Sequence, residues 1–401
     1  MVTAGVYMVA RLNFLYILSP VAMAVVAIVG VLTAIWAAMI AFTQNDIKKV
    51  LAYSTVSQLG FMFIGVGVGA FTAGIFHLMT HAFFKACLFL GSGAIIHYLH
   101  GEQDIRKMGG LRKMPGMGAI FFSWVAATLA ISGLPFVTSG FFSKDEILWM
   151  ALSSNAFSSF TWADTLSVSI YGVGALTAVF TAIYMWRLTV LTFFGESRVD
   201  EHTAKHPHKP AFSMWGVVSI LGILSIIGGW IGIPAFLGES IHVPNYFEHW
   251  LSPVFELSRI GFRESIGDAH AVHSLELLAL LIGLGIPIVG IGIGVFLWTK
   301  KRETLQNLAS GGITGLFYRL SYAKFYVDEI YELFVIQPIK KISDWLLWQV
   351  VDVRIIDQAV NLAAKATGFC GETLRYVQTG NLQVYAFSMF AGLAVIIWIL
   401  I

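Results

Sequence analysis

Charge is scarce in this 401-residue chain. Lys, Arg, Asp and Glu make up only 12% of it, against about 25% in an ordinary soluble domain. Cysteine is nearly absent. Cys87 and Cys370 are the only two, far apart and with Cys87 in an apolar run, which excludes a disulfide framework. There is no zinc-ligand spacing, no P-loop and no dinucleotide fingerprint, so any redox chemistry the protein serves is expected on another chain. The net charge is +2, which provides no electrostatic footprint for nucleic acid. What is abundant is apolar: 57% of residues are hydrophobic and the mean hydropathy is +0.77. The apolar runs are too long for barrel strands, leaving an all-α polytopic membrane protein.

The chain opens with MVTAGVYMVARLNFLYI. This piece lacks the basic start and the small-residue cleavage site of a signal peptide, and reads as the second half of a helix. Spans are expected at Val21–Phe42, Val50–Val68, Ala73–His97, Leu166–Phe194, Ser213–Phe236, Leu275–Trp298 and Tyr385–Ile401, each near the ~20 apolar residues that cross a bilayer. Gly118–Trp149 is expected as one crossing broken at Gly133-Leu134-Pro135, because proline removes a donor and clashes with the preceding turn. Leu237–His273 reads as a long extramembrane loop. Over Ile339–Ala363 the residues Ile342, Trp345, Leu346, Val353, Ile356, Val360 and Ala363 recur at three- and four-residue spacing, with charges between them. That pattern predicts an amphipathic helix lying on the membrane or on neighbouring subunits. Threading these spans puts Lys48/Lys49, Arg106/Lys107/Arg112/Lys113, Arg198/Lys205/Lys209 and Lys300/Lys301/Arg302 on one side, the cytoplasmic one by the positive-inside rule. The longer opposite loop carries Arg259 and Arg263, which weigh less in that rule.

Two places carry charge where charge is expensive. His77, His81 and Lys85 lie at i, i+4 and i+8 inside one span, along one stripe of a helix. A mid-span lysine costs about 2.5–3.5 kcal/mol on insertion scales. The flanking apolar residues argue against snorkelling, so the stripe reads as a charge-handling site; alone, the histidines would read as helix–helix hydrogen-bonding groups. Lys144, Asp145 and Glu146 follow the helix break. Irregular backbone at membrane depth is tolerated where it is buried in protein or lines a wet cavity, so these charges read as part of an ion pathway. The remaining polar features have plainer readings. Arg187 reads as an interfacial anchor, Arg11 as a loop-flanking charge, and Ser54, Ser57 and Gln58 as helix–helix glue. His202, His206 and His208 read as a solvated loop rather than a metal site, and most of the tryptophans as an interfacial belt.

The blocks DIKKVLAYSTVSQLGFMF, HLMTHAFFKACLFLGSG, DIRKMGGLRKMP, GLPFVTSGFFSKDEIL, VDEIYELFV and VQTGNLQVYA resemble the L subunit of proton-pumping NADH:quinone oxidoreductase, respiratory complex I. The resemblance covers essentially the whole chain. It implies an antiporter-like helix bundle, here the second inverted repeat with its broken helix, followed by a long lateral helix (Lys324–Gly380) and an anchor helix (Tyr385–Ile401). It implies that His77, His81 and Lys85 are central proton-transfer residues and that Lys144, with Asp145, ends the second half-channel. MVTAGVYMVARL resembles the middle of the family sequence, so the resemblance implies that the family's earlier helices, with the first half-channel, are missing from this polypeptide. The organisation expected is a partial proton-channel domain at 1–195, further transmembrane helices at 196–303, the lateral helix region at 304–380 and the anchor at 381–401.

The function so implied is proton translocation coupled to quinone reduction elsewhere in the complex, in a bacterial inner membrane. NADH, FMN, iron–sulfur clusters and quinone would sit on other subunits, with no cofactor or metal on this chain. Its partners would be the other membrane-arm subunits, above all antiporter-like neighbours along the lateral helix, and the lipid bilayer. Two alternatives are a large subunit of a multisubunit cation/proton antiporter, and a structural scaffold without its own conduction.

Overall fold

The computed structural model describes the backbone of residues 2–201, 203, 206–234, 238, 243–263 and 269–401, and their side chains except at 2, 257–263, 269–278, 303 and 306. His202 and Lys205, and the side chains of Arg259 and Arg263, lie outside the described residues. The described residues divide into two units, Met1–Ala323 and Lys324–Ile401.

The first unit is a helical bundle. Helices α1 (Val2–Arg11) and α2 (Asn13–Tyr16) lead into α3 (Pro20–Thr43), whose start is fixed twice over. Pro20 occupies the first turn, where its missing N–H costs nothing, and the Ser19 hydroxyl accepts the Ala22 N–H at 3.3 Å. Asp46 caps α4 (Ile47–Gly67) by accepting the Lys48 and Lys49 N–H groups at 2.8 and 3.2 Å. Small residues let α3 and α4 approach closely: Ala27, Gly30 and Ala34 face Gly60 and Gly67. Helix α5 (Phe71–Tyr98) packs against α4, α6 and α9.

The expected broken crossing is present as α6 (Gly118–Ser132) and α7 (Ser139–Ser153). Gly133 takes a left-handed conformation, φ 81°, and closes α6. Phe136 also has positive φ, 61°, a strain of about 1–2 kcal/mol for a residue with a side chain. Gly140 begins α7 in backbone contact with α6: a Cβ there would lie 1.8 Å from the Ala130 carbonyl oxygen.

Helices α8 (Ala163–Phe193), α9 (Phe212–Ile227), α10 (Tyr246–Arg263), α11 (Ala269–Lys300), α12 (Arg302–Ser310) and α13 (Gly312–Tyr322) complete the unit. The span expected at Ser213–Phe236 is present over Phe212–Gly232: its α-helix ends at Ile227 and passes into a 3₁₀ turn at Trp230–Gly232, since Gly228 and Gly229 favour irregular backbone, and Phe236 lies outside the described residues. One expectation is corrected here. The loop expected at Leu237–His273 contains α10, which carries Pro253 within it and packs onto α5 through Phe247 against Phe76 and Phe255 against Phe71. Trp124 lies outside the belt expected of most tryptophans: it is fully buried and its indole N–H donates to Thr189 at 3.0 Å.

Among the described residues, seven helices are long and apolar enough to cross a membrane; α6–α7 adds the broken crossing. The loops expected on one side do meet. Ile47 N–H donates to Gln103, Ile105 N–H to Asn45, and Arg198 donates to Arg106 and Leu191 carbonyls at 2.7 and 2.8 Å. At the other end, Ser154 donates to the Val68 carbonyl at 2.5 Å and Asn13 to the Val254 carbonyl at 3.4 Å.

The second unit opens on three consecutive non-glycine residues at positive φ, Lys324, Phe325 and Tyr326. A helical run, α14 at 327–375, follows, about 70 Å long at 1.5 Å per residue, and α15 (Leu382–Leu400) ends it. The run is not uniform α-helix as the spacing implied. Glu332–Ile336 and Ser343–Ile356 are π-helical. The first stretch lies just ahead of Pro338, whose missing donor breaks the ladder there. Wider turns shift the apolar stripe, so it drifts around the helix. Ile342, Trp345, Val353, Ile356 and Val360 are all exposed.

Candidate functional site

The site grows from three helices that bring polar side chains into an apolar bundle. Helix α5 contributes the stripe. His77 is fully buried, and His81 and Lys85 are 5% and 4% exposed. Lys85 Nζ donates to the Leu51 carbonyl on α4 at 3.0 Å, and a second donor, the Thr55 hydroxyl, reaches the same carbonyl at 2.9 Å. The next groups along the stripe are imidazoles. The rings of His81 and His77 are 6.3 Å apart, centre to centre, and each keeps a buried Nε2 without a hydrogen-bond partner in the protein. Such buried polar atoms are places where ordered water binds.

From His77 the polar chain crosses to α7. His77 Nδ1 and Ser143 Oγ are 2.9 Å apart, and Thr80 Oγ1 lies 2.9 Å from the same hydroxyl. Ser143 precedes Lys144, which is 3% exposed. Lys144 Nζ donates to the Ile131 carbonyl at 3.1 Å and lies over the Phe61 ring, 4.8 Å from its centre. The helix break creates that acceptor. In an unbroken helix the Ile131 carbonyl would receive the N–H of residue 135, but residue 135 is proline and has none. A cation over an aromatic face gains about 0.5–2 kcal/mol.

Lys144 and Asp145 do not form an ion pair among the described residues. Consecutive helical residues point about 100° apart, so Asp145 faces elsewhere. It lines a cavity of about 220 Å³ with Glu146, Tyr171 on α8, Glu248 on α10 and Gly283 on α11. Glu248 and Tyr171 escape sequence reasoning: Glu248 falls in the segment read as a loop, and Tyr171 is one tyrosine of thirteen.

The remaining sequence candidates sort by contact. Ser57 donates to the Ala34 carbonyl at 2.9 Å, joining α4 to α3. Ser54 accepts from the Tyr184 hydroxyl at 2.9 Å. Gln58, fully buried, has neither amide atom hydrogen-bonded within the protein, and so belongs with the orphan imidazoles rather than with helix glue. Arg187 is not an interfacial anchor. It is 6% exposed and donates to the Gln44 carbonyl and Asn45 Oδ1 at 2.7 and 2.8 Å, holding α8 to the turn between α3 and α4. His208 packs against His100 and His97, with ring centres 3.9 and 5.4 Å apart, and His100 Nε2 donates to the His206 carbonyl at 2.8 Å. Among the described residues no group of three His, Cys, Asp or Glu side chains is arranged to hold a metal ion.

Comparison with known proteins bears on this geometry. Residues 1–169 match a family described as NADH:quinone oxidoreductase/Mrp antiporter, transmembrane. The chain is similar to NAD(P)H-quinone oxidoreductase chain 5 of Picosynechococcus sp., 37% identical over 98% of this chain and 58% of that one. It is similar to NADH-quinone oxidoreductase subunit L of Rickettsia bellii, 36% identical over 100% of this chain and 57% of that one. The subunit L of Escherichia coli is 34% identical, with the same coverages of 100% and 57%. The chain thus spans 57–58% of the length of these relatives. Among solved structures, the Mrp complex from Dietzia sp. superposes with a TM-score of 0.51 at 24% identity, covering 91% of this chain and 36% of that one. That likeness speaks to the fold: an all-α, antiporter-like helix bundle.

Proposed function

We propose that this chain, which belongs to the antiporter-like subunit L family of NADH:quinone oxidoreductases, conducts protons across a bacterial inner membrane as part of a complex I membrane arm. The observation that carries the reading is a row of buried polar side chains between two lysines. The lysines, 4% and 3% exposed, form no direct ion pair among the described residues, and between them lie His81, His77 and the Ser143 hydroxyl that meets His77 and Thr80, with gaps that bound water would bridge. A buried lysine without a direct ion pair changes its proton affinity readily when a nearby charge moves. Lys85 takes a proton from the interior of the arm, and His81 and His77 pass it on through bound water. Ser143 and Thr80 orient His77, and Lys144 delivers the proton toward the far side. The redox work, with NADH, FMN, iron–sulfur clusters and quinone, belongs to other subunits.

The lateral helix supports a second part of the reading. It exposes Trp345, Trp348, Val353 and Ile356, more apolar surface than a lone helix keeps in water. Neighbouring antiporter-like subunits and lipid are the covering partners proposed.

The experiment is Lys85→Met in the assembled complex, with proton uptake followed in inverted membrane vesicles driven by NADH. Pumping is expected to be abolished; unchanged pumping would sink the proposal. The matching family also includes Mrp antiporters. NADH-independent sodium/proton exchange through the isolated membrane subunits would favour that second reading.

A further inference from the structure

Helix α4 carries one side chain that the packing of the bundle does not account for. Gln58 is fully buried, and neither its amide oxygen nor its amide nitrogen is hydrogen-bonded among the described residues. An amide buried in that way is costly unless something bonds to it. The Tyr184 hydroxyl lies beside it but gives its proton to Ser54 at 2.9 Å. Ser57 is committed elsewhere, donating to the Ala34 carbonyl on α3 at 2.9 Å.

The register of α4 on α5 says what Gln58 faces. Helix α4 ends at Gly67 and α5 begins at Phe71, so the two run antiparallel. They touch at Gly65 and Gly74, where a Cβ on Gly65 would lie 3.2 Å from the Gly74 Cα. Two turns back along α4 and two turns on along α5 stand Gln58 and His81. The same register sets Phe61 against His77, and their ring centres are 6.5 Å apart. Lys85 reaches α4 at the Leu51 carbonyl and Lys144 reaches it at the Phe61 ring, so Gln58 falls between the two lysine contacts. It is level with His81, whose Nε2 is also buried without a hydrogen-bond partner. Unbonded polar groups at one level of two facing helices point to a water that both can bind.

We propose that Gln58 is a positioning residue for proton transfer, its amide holding the water through which Lys85 and His81 exchange a proton. The inference rests on the reading of the chain as a proton conductor. An N–H bond of the Lys85 ammonium breaks as its proton joins the water, and one of the water's own O–H bonds breaks as its proton passes to His81 Nε2. A neutral amine, an imidazolium and an intact water result, and the amide is unchanged. A primary amide suits the task because it both donates and accepts, yet carries no charge of its own. It orients the water without storing the proton, which a carboxylate at the same place would do.

The test uses the assembled complex in inverted membrane vesicles driven by NADH, comparing wild type with Gln58→Met, Gln58→Asn and Gln58→Glu. Methionine keeps a side chain of similar length and removes both amide atoms. Gln58→Met is expected to slow proton translocation about ten-fold, short of the ~100-fold cost of a misplaced reacting group because the Ser54 and Tyr184 hydroxyls still hold water nearby. Its complex yield and thermal midpoint should stay at wild-type values. Gln58→Asn, which keeps an amide, should recover part of the rate, and Gln58→Glu should be slow despite its shape. A second readout does not depend on rate. Infrared difference spectra of the wild-type complex, with and without NADH, should contain a water O–H band that shifts in water carrying oxygen-18. That band should vanish in Gln58→Met and persist in Gln58→Asn. Wild-type pumping in Gln58→Met or Gln58→Glu would overturn the inference. So would a water band that survives in Gln58→Met, or rate losses that follow complex yield across the three variants. Lys85→Met in the same vesicles separates the two levels. If it stops pumping while Gln58→Met is silent, only the role of Gln58 fails; if it leaves pumping intact, the underlying reading fails.

Discussion

Pro135 creates the acceptor that holds Lys144. The Ile131 carbonyl has no backbone N–H to receive because residue 135 is proline, and Lys144 Nζ occupies it at 3.1 Å. The helix break and the buried lysine are therefore one device. Pro135→Ala supplies a competing N–H and lets α6 extend. Proton pumping by the assembled complex is expected to fall about ten-fold, with the variant still incorporated into membranes. Pumping at the wild-type rate in vesicles would show that the Ile131 contact does not position Lys144.

Gly140 stands where α7 leaves the break, with no room for a side chain: a Cβ would meet the Ala130 carbonyl oxygen at 1.8 Å. Gly140→Ala should force α6 and α7 apart and destabilise the bundle by about 1–3 kcal/mol. Gly118→Ala, with nothing within 4 Å, is the control. Thermal denaturation of the detergent-solubilised complex should separate the two variants; equal midpoints would contradict the packing described.

Arg187 ties α8 to the α3–α4 turn through two acceptors, the Gln44 carbonyl and Asn45 Oδ1. Truncation to alanine leaves buried acceptors unsatisfied, at about 1–3 kcal/mol. Lysine restores a charge but not the two-pronged geometry. Arg187→Lys should thus recover only part of the stability lost in Arg187→Ala, read from complex yield and thermal midpoint. Full recovery by lysine would mean that charge alone is required.

The contact between the loops rich in Lys and Arg should respond to acid. Arg106 hydrogen-bonds the Asp104 carboxylate and holds it below its ordinary value of 3.8. A depressed carboxylate stabilises the folded loop fully above that ordinary value, and the contribution is lost as pH falls below it. Hydrogen exchange of residues 101–107, corrected for intrinsic rate, should show protection at pH 6 that weakens near pH 3. The Asp104→Asn variant should show little of that change.

Much of this arrangement was legible in the sequence, and for stated reasons. The His77–His81–Lys85 stripe follows from the helical period alone, and all three side chains are buried. The break follows from Pro135, and the spans from their length. What was hidden depends on contacts between distant residues or on backbone geometry. Arg187 looked like an anchor because its acceptors, Gln44 and Asn45, lie more than 140 positions earlier. Glu248 looked like a loop residue because α10 contains Pro253, which masks its helical pattern. The resemblance sets Lys144 with Asp145, and the two side chains interact electrostatically without a direct ion pair, which spacing alone does not show. The π-helical stretches of α14 could not be read from spacing, which presumes 3.6 residues per turn.

The central claim is that Lys85 and Lys144 belong to one conducting seam, and series connection has a direct signature. Groups that act as a unit are not additive when removed. The measurement is the number of protons translocated per NADH oxidised by the assembled complex carrying Lys85→Met, Lys144→Met or both. Each single variant is predicted to lower the ratio to the value of the double variant. A ratio unchanged in either single variant, or a double variant that loses the sum of two partial defects, would contradict a single seam.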